Sequence, residues 1–406
     1  MNPADLSKFD VVESLPAECP EAWDTLVGRN GVDFYSSRAW HLAMGGNSGA
    51  EERVAWTRWR DDSRGASGSL LALVPVFRYA AGPGNALLHP ATLLGGASAT
   101  GEAEARRWEP VTLVGNASGY VTAPVVEVEG DLAPWVAAIR QAGGVGDTQA
   151  PGTALVPYLT DAAAARLQPF LPDVPFLLAP MRVVLPLVGS SLDEYYAALT
   201  PRQRELARRE RRSLAKGGRV MTPEELSSDN IVELGRLQEL TQRRHEAFGD
   251  ARYFEEIMQR MRIRLAGSVF AFVCRHEGRA LGYLSCLRHQ DALVARSAGL
   301  DYERIGSHAE YFNLLIHAPV EYALAHGLKE IDLGIEGYFQ KLVRGGRPML
   351  QWNVLLRPPR HWSAEDSQRH NRKQARVIAQ ELKAGACEAV AERLARIAST
   401  GLPDFS

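Results

Sequence analysis

Three apolar runs in the second half of the chain restrict its fold more than any other feature. Ser268–Arg275, Gly282–Arg288 and Ala292–Ala298 are each strand-length, and only the turns Glu277-Gly278 and His289-Gln290-Asp291 separate them. Connections that short join antiparallel neighbours and leave no room for a crossover helix, so the runs form a meander. Beyond it, Phe312, Leu315, Ile316, Val320, Ala323 and Leu324 recur at three- and four-residue spacing, the period of an amphipathic helix starting near Glu310. Gly327 stops that helix, because glycine takes the left-handed C′ conformation at little cost. Lys329-Glu330-Ile331-Asp332-Leu333-Gly334 then alternates polar and apolar as a half-buried strand does. Glu336, Tyr338, Gln340, Lys341 and Arg344 crowd the loop that follows, the place where α/β proteins put their chemistry.

Two helices over Val232–Phe248 and Tyr253–Leu265 precede the meander, and Met181–Leu187 reads as a strand ahead of them. Between these, Ser190–Leu199 reads as a short helix. Thr200-Pro201 is an N-cap followed by proline at the first helical position, opening a helix that runs to Lys216 and stops at Gly217. Helix pair, antiparallel meander, helix, strand and a last strand at Leu350–Leu356 is the order of an acyltransferase domain of the GNAT type. The first half has helices near Glu21–Val27 and after Ser36-Ser37, then a hairpin from Arg53–Trp59 and Leu70–Tyr79, with Pro75 marking an edge or a bulge. Ala81–Gly101 reads as loop, Leu132–Ala142 as helix and Gly152–Leu159 as strand. Each half carries a hairpin after early helices, which suggests a diverged duplication. The expected fold is α/β (α+β): two tandem GNAT-like domains, each a mixed, mostly antiparallel sheet flanked by helices. The expected boundaries are 1–185, 186–360 with the functional loop, and a charged helical tail over 361–406.

The 406 residues are 46% hydrophobic and carry a formal net charge of -2, so attraction to a polyanion has to come from a local patch. Cys19, Cys274, Cys286 and Cys387 form no CxxC pair and suit neither zinc nor a disulfide framework, which points to reduced thiols and a cytoplasmic location. The N-terminus lacks a signal-peptide pattern, and no uncharged apolar run approaches the roughly 18 residues that span a bilayer, so no membrane insertion is expected.

The local patch lies between Thr200 and Val220. Arg202, Arg204, Arg208, Arg209, Arg211, Arg212, Lys216 and Arg219 face only Glu205 and Glu210 in sequence, leaving about six net positive charges. Such a face suits a polyanion through counterion release, and equally pyrophosphate or an anionic acceptor. It also fits a solvated helix whose buried side is Leu199, Leu206 and Leu214. In the later loop, Lys341 could stabilise an acyl-transfer oxyanion or neutralise a donor phosphate, Tyr338 could act as general acid, and Glu336 or Asp332 could accept a proton from an attacking amine. Asp332 could instead satisfy a neighbouring loop amide. Arg296 lies on the meander, and Gly306-Ser307-His308 precedes the long helix, whose first amides could receive an anion. Coenzyme A users of this fold carry Gln/Arg-x-x-Gly-x-Gly/Ala there; this chain has Glu303-Arg304-Ile305-Gly306-Ser307-His308-Ala309, with one glycine. His308 and Tyr311 border the same approach. His245, His317 and His326 have no partner at metal-ligand spacing and read as structural, and no metal site is expected. No GxSxG elbow, HExxH helix, Walker loop or Rossmann glycine triplet is present.

The pairing of LTPRQRELARRERRSLAKGG with EYFNLLIHAPVEYALAHGLKEIDLGIEGYFQKLVRG resembles the FemAB-like, peptidoglycan-biosynthesis-type branch of the GNAT superfamily. The resemblance covers about Leu199 to Leu356, with a weaker echo at FYSSRAWHLAMGG. The branch closes its loop with a Lys-x-x-Arg-Gly element, here Lys341-Leu342-Val343-Arg344-Gly345. Ahead of the lysine the commoner sequence is Gln-Gly-Glu-His-Lys, where this chain has Glu336-Gly337-Tyr338-Phe339-Gln340. The resemblance implies an enzyme that joins an activated acyl group to an amine. It implies aminoacyl-tRNA as donor co-substrate, no bound cofactor, and a small amine-bearing metabolite or peptide as acceptor, as in antibiotic clusters. It also implies donor binding or oxyanion stabilisation by Lys341. The donor's phosphates would lie on Arg202, Arg208, Arg209, Arg212, Arg296 and Arg344, and the acceptor near Phe339, Gln340, Tyr311 and His308. Acyl-CoA or a carrier-protein thioester remains the alternative donor, and a non-catalytic binding module the alternative class.

Overall fold

The computed structural model describes residues 5–19, 21–29, 34–44, 49–60, 70–83, 88–95, 102–147, 149–245, 247, 249–306, 308–382 and 388–405. The chain divides into two compact units. One comprises Met1–Met181, Met349–Gln380 and Glu388–Ser406; the other is chiefly Arg182–Pro348.

The first unit is built on an eight-stranded sheet: β1 (Phe9–Ser14), β2 (Glu51–Trp59), β3 (Ala72–Tyr79), β4 (Val111–Val114), β5 (Val125–Val126), β6 (Thr153–Thr160), β7 (Phe176–Leu178) and the C-terminal β15 (Gln351–Arg357). The spatial order is β1-β2-β3-β4-β6-β15-β7, with β5 on β3. Among the described strands of this sheet only β4 and β6 pair in parallel. Pro75 lies within β3, a strand with neighbours on both sides, opposite Val54 of β2. On the other side β5 pairs as far as Leu73 and β4 begins at Val76. The Pro75 carbonyl accepts from Gly115 on that side, so the missing N–H faces the gap between the two partner strands. Proline here marks a local edge inside a central strand. The segment expected as loop over 81–101 contains a helix, Pro90–Gly95; residues 84–87 and 96–101 of that segment, and 61–69 between the two hairpin strands, lie outside the described ones.

The second unit holds seven strands: β8 (Arg182–Pro186), β9 (Val220–Glu225), β10 (Val269–His276), β11 (Arg279–His289), β12 (Ala292–Leu300), β13 (Glu330–Asp332) and β14 (Arg347–Met349), ordered β14-β8-β13-β12-β11-β10-β9. The predicted meander is β10-β11-β12, antiparallel throughout. The connection from β12 to β13 carries the Glu310 helix and makes a parallel pair. Both sheets are thus mostly antiparallel and helix-flanked. The strand predicted at Leu350–Leu356 forms as β15 but does not complete this unit. It pairs with β6 and β7 of the first sheet, and the tail helices Ala364–Leu382 and Glu388–Thr400 belong largely to the first unit as well. Alternation identifies a strand but not its distant partner. The edge strand β9, exposed and containing Pro223, gave no alternating signal.

The helix that carries the arginines has locally legible ends. Thr200 Oγ1 accepts from the Gln203 amide and Gln203 Oε1 accepts from the Thr200 amide, a capping box with Pro201 at the first turn. It ends at Lys216; Gly217 remains right-handed and Gly218, at φ +64°, is the left-handed residue. A Cβ on Gly217 would meet the His308 ring at 2.5 Å, so this glycine is required by close packing.

Candidate functional site

The Pro201–Lys216 helix has two unlike faces. Arg202, Arg208, Arg209, Arg212 and Lys216 are exposed. Among the described residues Arg202, Arg208 and Arg209 enter no ion pair, and Arg212 meets only Glu205, a fully solvated contact worth little. The inner face is Ala207 and Glu210 rather than the three leucines, which are only half-buried. Glu210, in sequence one of two acids opposing the arginines, is 5% exposed.

Glu210 is the centre of a buried polar cluster. Arg344 forks onto it, Nε donating to Oε2 at 3.1 Å and Nη2 to Oε1. Arg344 Nη1 donates to the Gln340 carbonyl at 2.7 Å and its side-chain oxygen at 3.0 Å, and the guanidinium carbon lies 3.4 Å from the Phe312 ring centroid. His317 Nε2 stands 2.9 Å from Glu210 Oε2, and Asn313 Nδ2 donates to the Glu210 backbone carbonyl at 3.1 Å. Burial pushes the Glu210 carboxyl up, but the hydrogen bonds from His317 and Arg344 and the Arg344 charge outweigh it and hold the group below the usual range. Arg344, expected on donor phosphates, is therefore committed to an internal ion pair.

Asn313 and His317 come from a widened turn. The predicted helix runs as Glu310–Phe312, a π segment over Asn313–His317, and Ala318–Ala325. Pro319 has no N–H for the Leu315 carbonyl four residues back, and the widening falls directly before it.

At the start of this helix the loop amides already hold an anion. Glu310 is fully buried, and its Oε2 accepts from the Gly306 amide at 3.1 Å and the His308 amide at 3.0 Å. Arg219 Nε approaches Oε1 at 3.2 Å, an ion pair without hydrogen-bond alignment. Burial raises the Glu310 carboxyl, yet these amides and Arg219 bring it below the usual range. His308 Nδ1 lies 3.2 Å from the Ser213 carbonyl, at the end of the arginine helix, which gives it a packing role. Ser307 lies outside the described residues.

The third cluster surrounds the β13 loop. Asp332 receives Arg182 at 3.3 Å and the Gly334 amide at 2.8 Å, so it satisfies a loop amide and a half-buried cation. Lys341 is 5% exposed, and Nζ donates to the Ile335 carbonyl at 2.8 Å. Burial lowers its pKa to about 8 against the pull of Asp332 and Glu336. Its ammonium pins the loop from inside rather than facing solvent. Glu336 (φ +65°) and Gly337 (φ +58°), both left-handed, turn the chain into the short Tyr338–Leu342 helix, leaving Glu336, Phe339 and Gln340 exposed and Tyr338 half-buried. Tyr311 is half-buried, its hydroxyl raised by burial, and Arg296 is half-buried on β12.

The geometry thus gathers Arg344, Gln340 and Phe312 with Glu210 and His317, and gathers Asp332 with Lys341, while Arg202, Arg208, Arg209 and Arg212 share an outer face. Glu210, His317, Glu310 and Arg182 were not among the expected site residues. Their signal was present. Glu210 is three residues after Ala207 and four before Leu214, and Glu310, Asn313 and His317 make a polar stripe on an apolar helix. Among the described residues no group of three or more His, Cys, Asp or Glu side chains could hold a metal, and no described helix is long and apolar enough to cross a membrane.

Residues 189–383 match the FemAB-like family, described as peptidoglycan biosynthesis/recognition. No curated protein matches the chain. Among solved structures it is similar to FemX, with TM-score 0.53 and 13% identity over 85% of this chain and 97% of that one. It is also similar to L-PGS from Bacillus licheniformis, with TM-score 0.51 and 10% identity over 86% and 94%. A tandem GNAT protein from the clavulanic acid biosynthesis pathway aligns at TM-score 0.43 and 11% identity over 86% and 99%.

Proposed function

We propose that this chain, whose residues 189–383 match the FemAB-like family, is an aminoacyltransferase with tandem GNAT-like units. It takes its acyl group from aminoacyl-tRNA and forms an amide on the amine of a small metabolite or peptide precursor. The observation that carries this reading is the buried Glu310 carboxylate on the Gly306 and His308 amides. Coenzyme A users of this fold seat pyrophosphate on the loop before this helix. Here an internal anion, countered by Arg219, occupies those donors, and a pyrophosphate would have to displace it. The donor's phosphates then go to the exposed arginines of the Pro201–Lys216 helix, whose charges are nearly uncompensated.

An aminoacyl ester is already activated, so positioning and electrostatics suffice without a covalent enzyme intermediate. Lys341 holds the β13 loop by its carbonyls, and the loop presents Tyr338, Phe339 and Glu336 outward. In this reading Tyr338 serves as the general acid for the leaving ribose oxygen and Glu336 accepts the proton of the incoming amine. The test incubates the purified protein with charged total tRNA or with acetyl-CoA, each with a pool of amines, followed by mass spectrometry. Amides that disappear when the tRNA is pretreated with ribonuclease are expected. Amides that form from acetyl-CoA, or survive ribonuclease, overturn the donor assignment.

A further inference from the structure

The loop that follows β12 carries an aromatic ring that none of the clusters above uses. Tyr302 is 36% exposed, and a single exposed ring needs no explanation by itself. This one is held in place. Its hydroxyl lies 3.3 Å from His245 Nε2 and bonds to the Thr241 side chain, both at the C-terminal end of the Ser228–Arg244 helix. Thr241 is fixed in turn, its Oγ1 accepting from the Leu300 amide at 2.8 Å. Over the Tyr302 ring lies the Arg244 guanidinium, its carbon 5.0 Å from the centroid. Arg244 is exposed and enters no ion pair among the described residues. Its contact is looser than the 3.4 Å of Arg344 on Phe312, so the guanidinium can lift from the ring. Farther on, the same loop packs against the arginine helix through His308, whose Nδ1 lies 3.2 Å from the Ser213 carbonyl and whose ring rests on Gly217. The loop's own charges are Asp301, paired with Arg304 at 3.5 Å, and the exposed Glu303. Attraction for phosphate therefore comes from Arg244 and the neighbouring arginine face.

We infer that Tyr302 is a stacking platform for an unpaired RNA base, which lies between the Tyr302 ring and the lifted Arg244 guanidinium while adjoining phosphates run along the Pro201–Lys216 arginines. The inference rests on the aminoacyl-tRNA reading and deepens it, because it gives the donor's single-stranded end a residue that holds its base. A cationic face attracts phosphates whether the strand is paired or not. A ring face takes only a base that is free to leave its neighbours, so it selects an unpaired end. Phosphate contacts set the register of the strand and the stacked base anchors it. Every base has a π-face, so the platform is indifferent to base identity. The bonds from Thr241 and His245 hold the ring before a ligand arrives, which reduces the ordering cost of binding. Tyr311 lies within electrostatic reach of both Tyr302 and Arg344, which ties the platform to the buried cluster beside the β13 loop.

The experiment titrates the full chain into a short, 5′-fluorescein-labelled single-stranded RNA and into the same RNA with abasic nucleotides, and follows fluorescence anisotropy at low salt. The intact RNA binds about tenfold more tightly than the abasic one. Tyr302→Leu abolishes that difference, leaves abasic binding as it was, and leaves the slope of log affinity against log salt unchanged, because no charge is lost. Tyr302→Phe, which keeps the ring, retains most of the difference. Thermal unfolding of each variant stays at the wild-type midpoint, since the ring is exposed. Arg244→Ala weakens the intact RNA severalfold and lowers the salt slope by roughly 1. Equal binding of intact and abasic RNA by wild type overturns the inference, as does a Tyr302→Leu protein that loses affinity for both alike or for neither. Adenosine 3′,5′-bisphosphate, the nucleotide part of coenzyme A, is the competitor; if it displaces the RNA as well as unlabelled RNA does, the platform belongs to a coenzyme and the RNA assignment falls. The two levels separate. Base-dependent RNA binding alongside amide formation from acetyl-CoA sinks the aminoacyl-tRNA reading and leaves the platform. Transfer that requires charged tRNA but is indifferent to Tyr302→Leu does the reverse.

Discussion

Replacing Arg344 by methionine tests the buried cluster directly. The variant keeps most of the side chain's volume but strips Glu210 of both guanidinium bonds, leaving a carboxylate on a residue 5% exposed with His317 as its remaining side-chain partner. Breaking a buried pair from one side costs about 3–5 kcal/mol, because the other charge stays in low dielectric. For a unit of this size each kcal/mol moves the midpoint by about 2–4 °C, so the expected drop is roughly 6–20 °C. Removing both charges, as Glu210→Gln with Arg344→Met, recovers at least half of that loss. The pH dependence has a definite sign. The folded-state Glu210 carboxyl is depressed, so its contribution is present above the unfolded carboxyl's pKa and lost as pH falls through the folded value. Without Arg344, burial instead favours the protonated carboxyl, and the gap between wild type and variant narrows toward pH 4. Differential scanning calorimetry from pH 4 to 8 measures wild type, the two single variants Arg344→Met and Glu210→Gln, and the double variant. A single variant within about 1 kcal/mol of wild type, or a double variant as unstable as the sum of its singles, refutes the reasoning.

Lys341→Met removes a lysine that burial depresses to about pH 8. The folded state disfavours its proton, so wild-type stability relative to the variant rises as pH climbs from about 8 to 10; a flat difference by urea denaturation contradicts the buried-ammonium picture. Glu310→Gln loses charge-assisted bonds to two amides and costs about 2 kcal/mol at pH 7, a penalty that fades below pH 4 as the wild-type carboxyl protonates, read by thermal unfolding. Reversing Arg208, Arg209 and Arg212 to Glu weakens charged-tRNA binding and flattens the slope of log affinity against log salt by roughly 2–3, measured by filter binding between 50 and 200 mM salt; an unchanged slope identifies a merely solvated face.

Features set by near neighbours were legible in the sequence. The Thr200-Gln203 box, the meander turns and the Gly327 stop depend on contacts within a few residues. Partner choice was not: β15 has strand pattern but finds β6 and β7 across an entire unit. Depth was also hidden. Glu210 looked like charge compensation for the arginines, when its spacing from Ala207 and Leu214 put it on the buried face. Lys341 and Arg344 stood out as cations in a loop, but charge alone does not say whether a head group meets solvent, a carbonyl or a carboxylate.

The position of β15 between β6 and β7 sets an order in time. A chain emerging from a ribosome delivers Thr153–Thr160 and Phe176–Leu178 long before Gln351–Arg357, with the whole Arg182–Pro348 unit in between. At about 5–20 residues per second that interval is roughly ten to forty seconds. Through it, two apolar strands of the first sheet stand with open edges, each a template for pairing with another chain. The inserted unit can finish folding inside this window. The sheet of the first unit can close only after the intervening unit has been made, so the part of the molecule synthesised first is the part completed last.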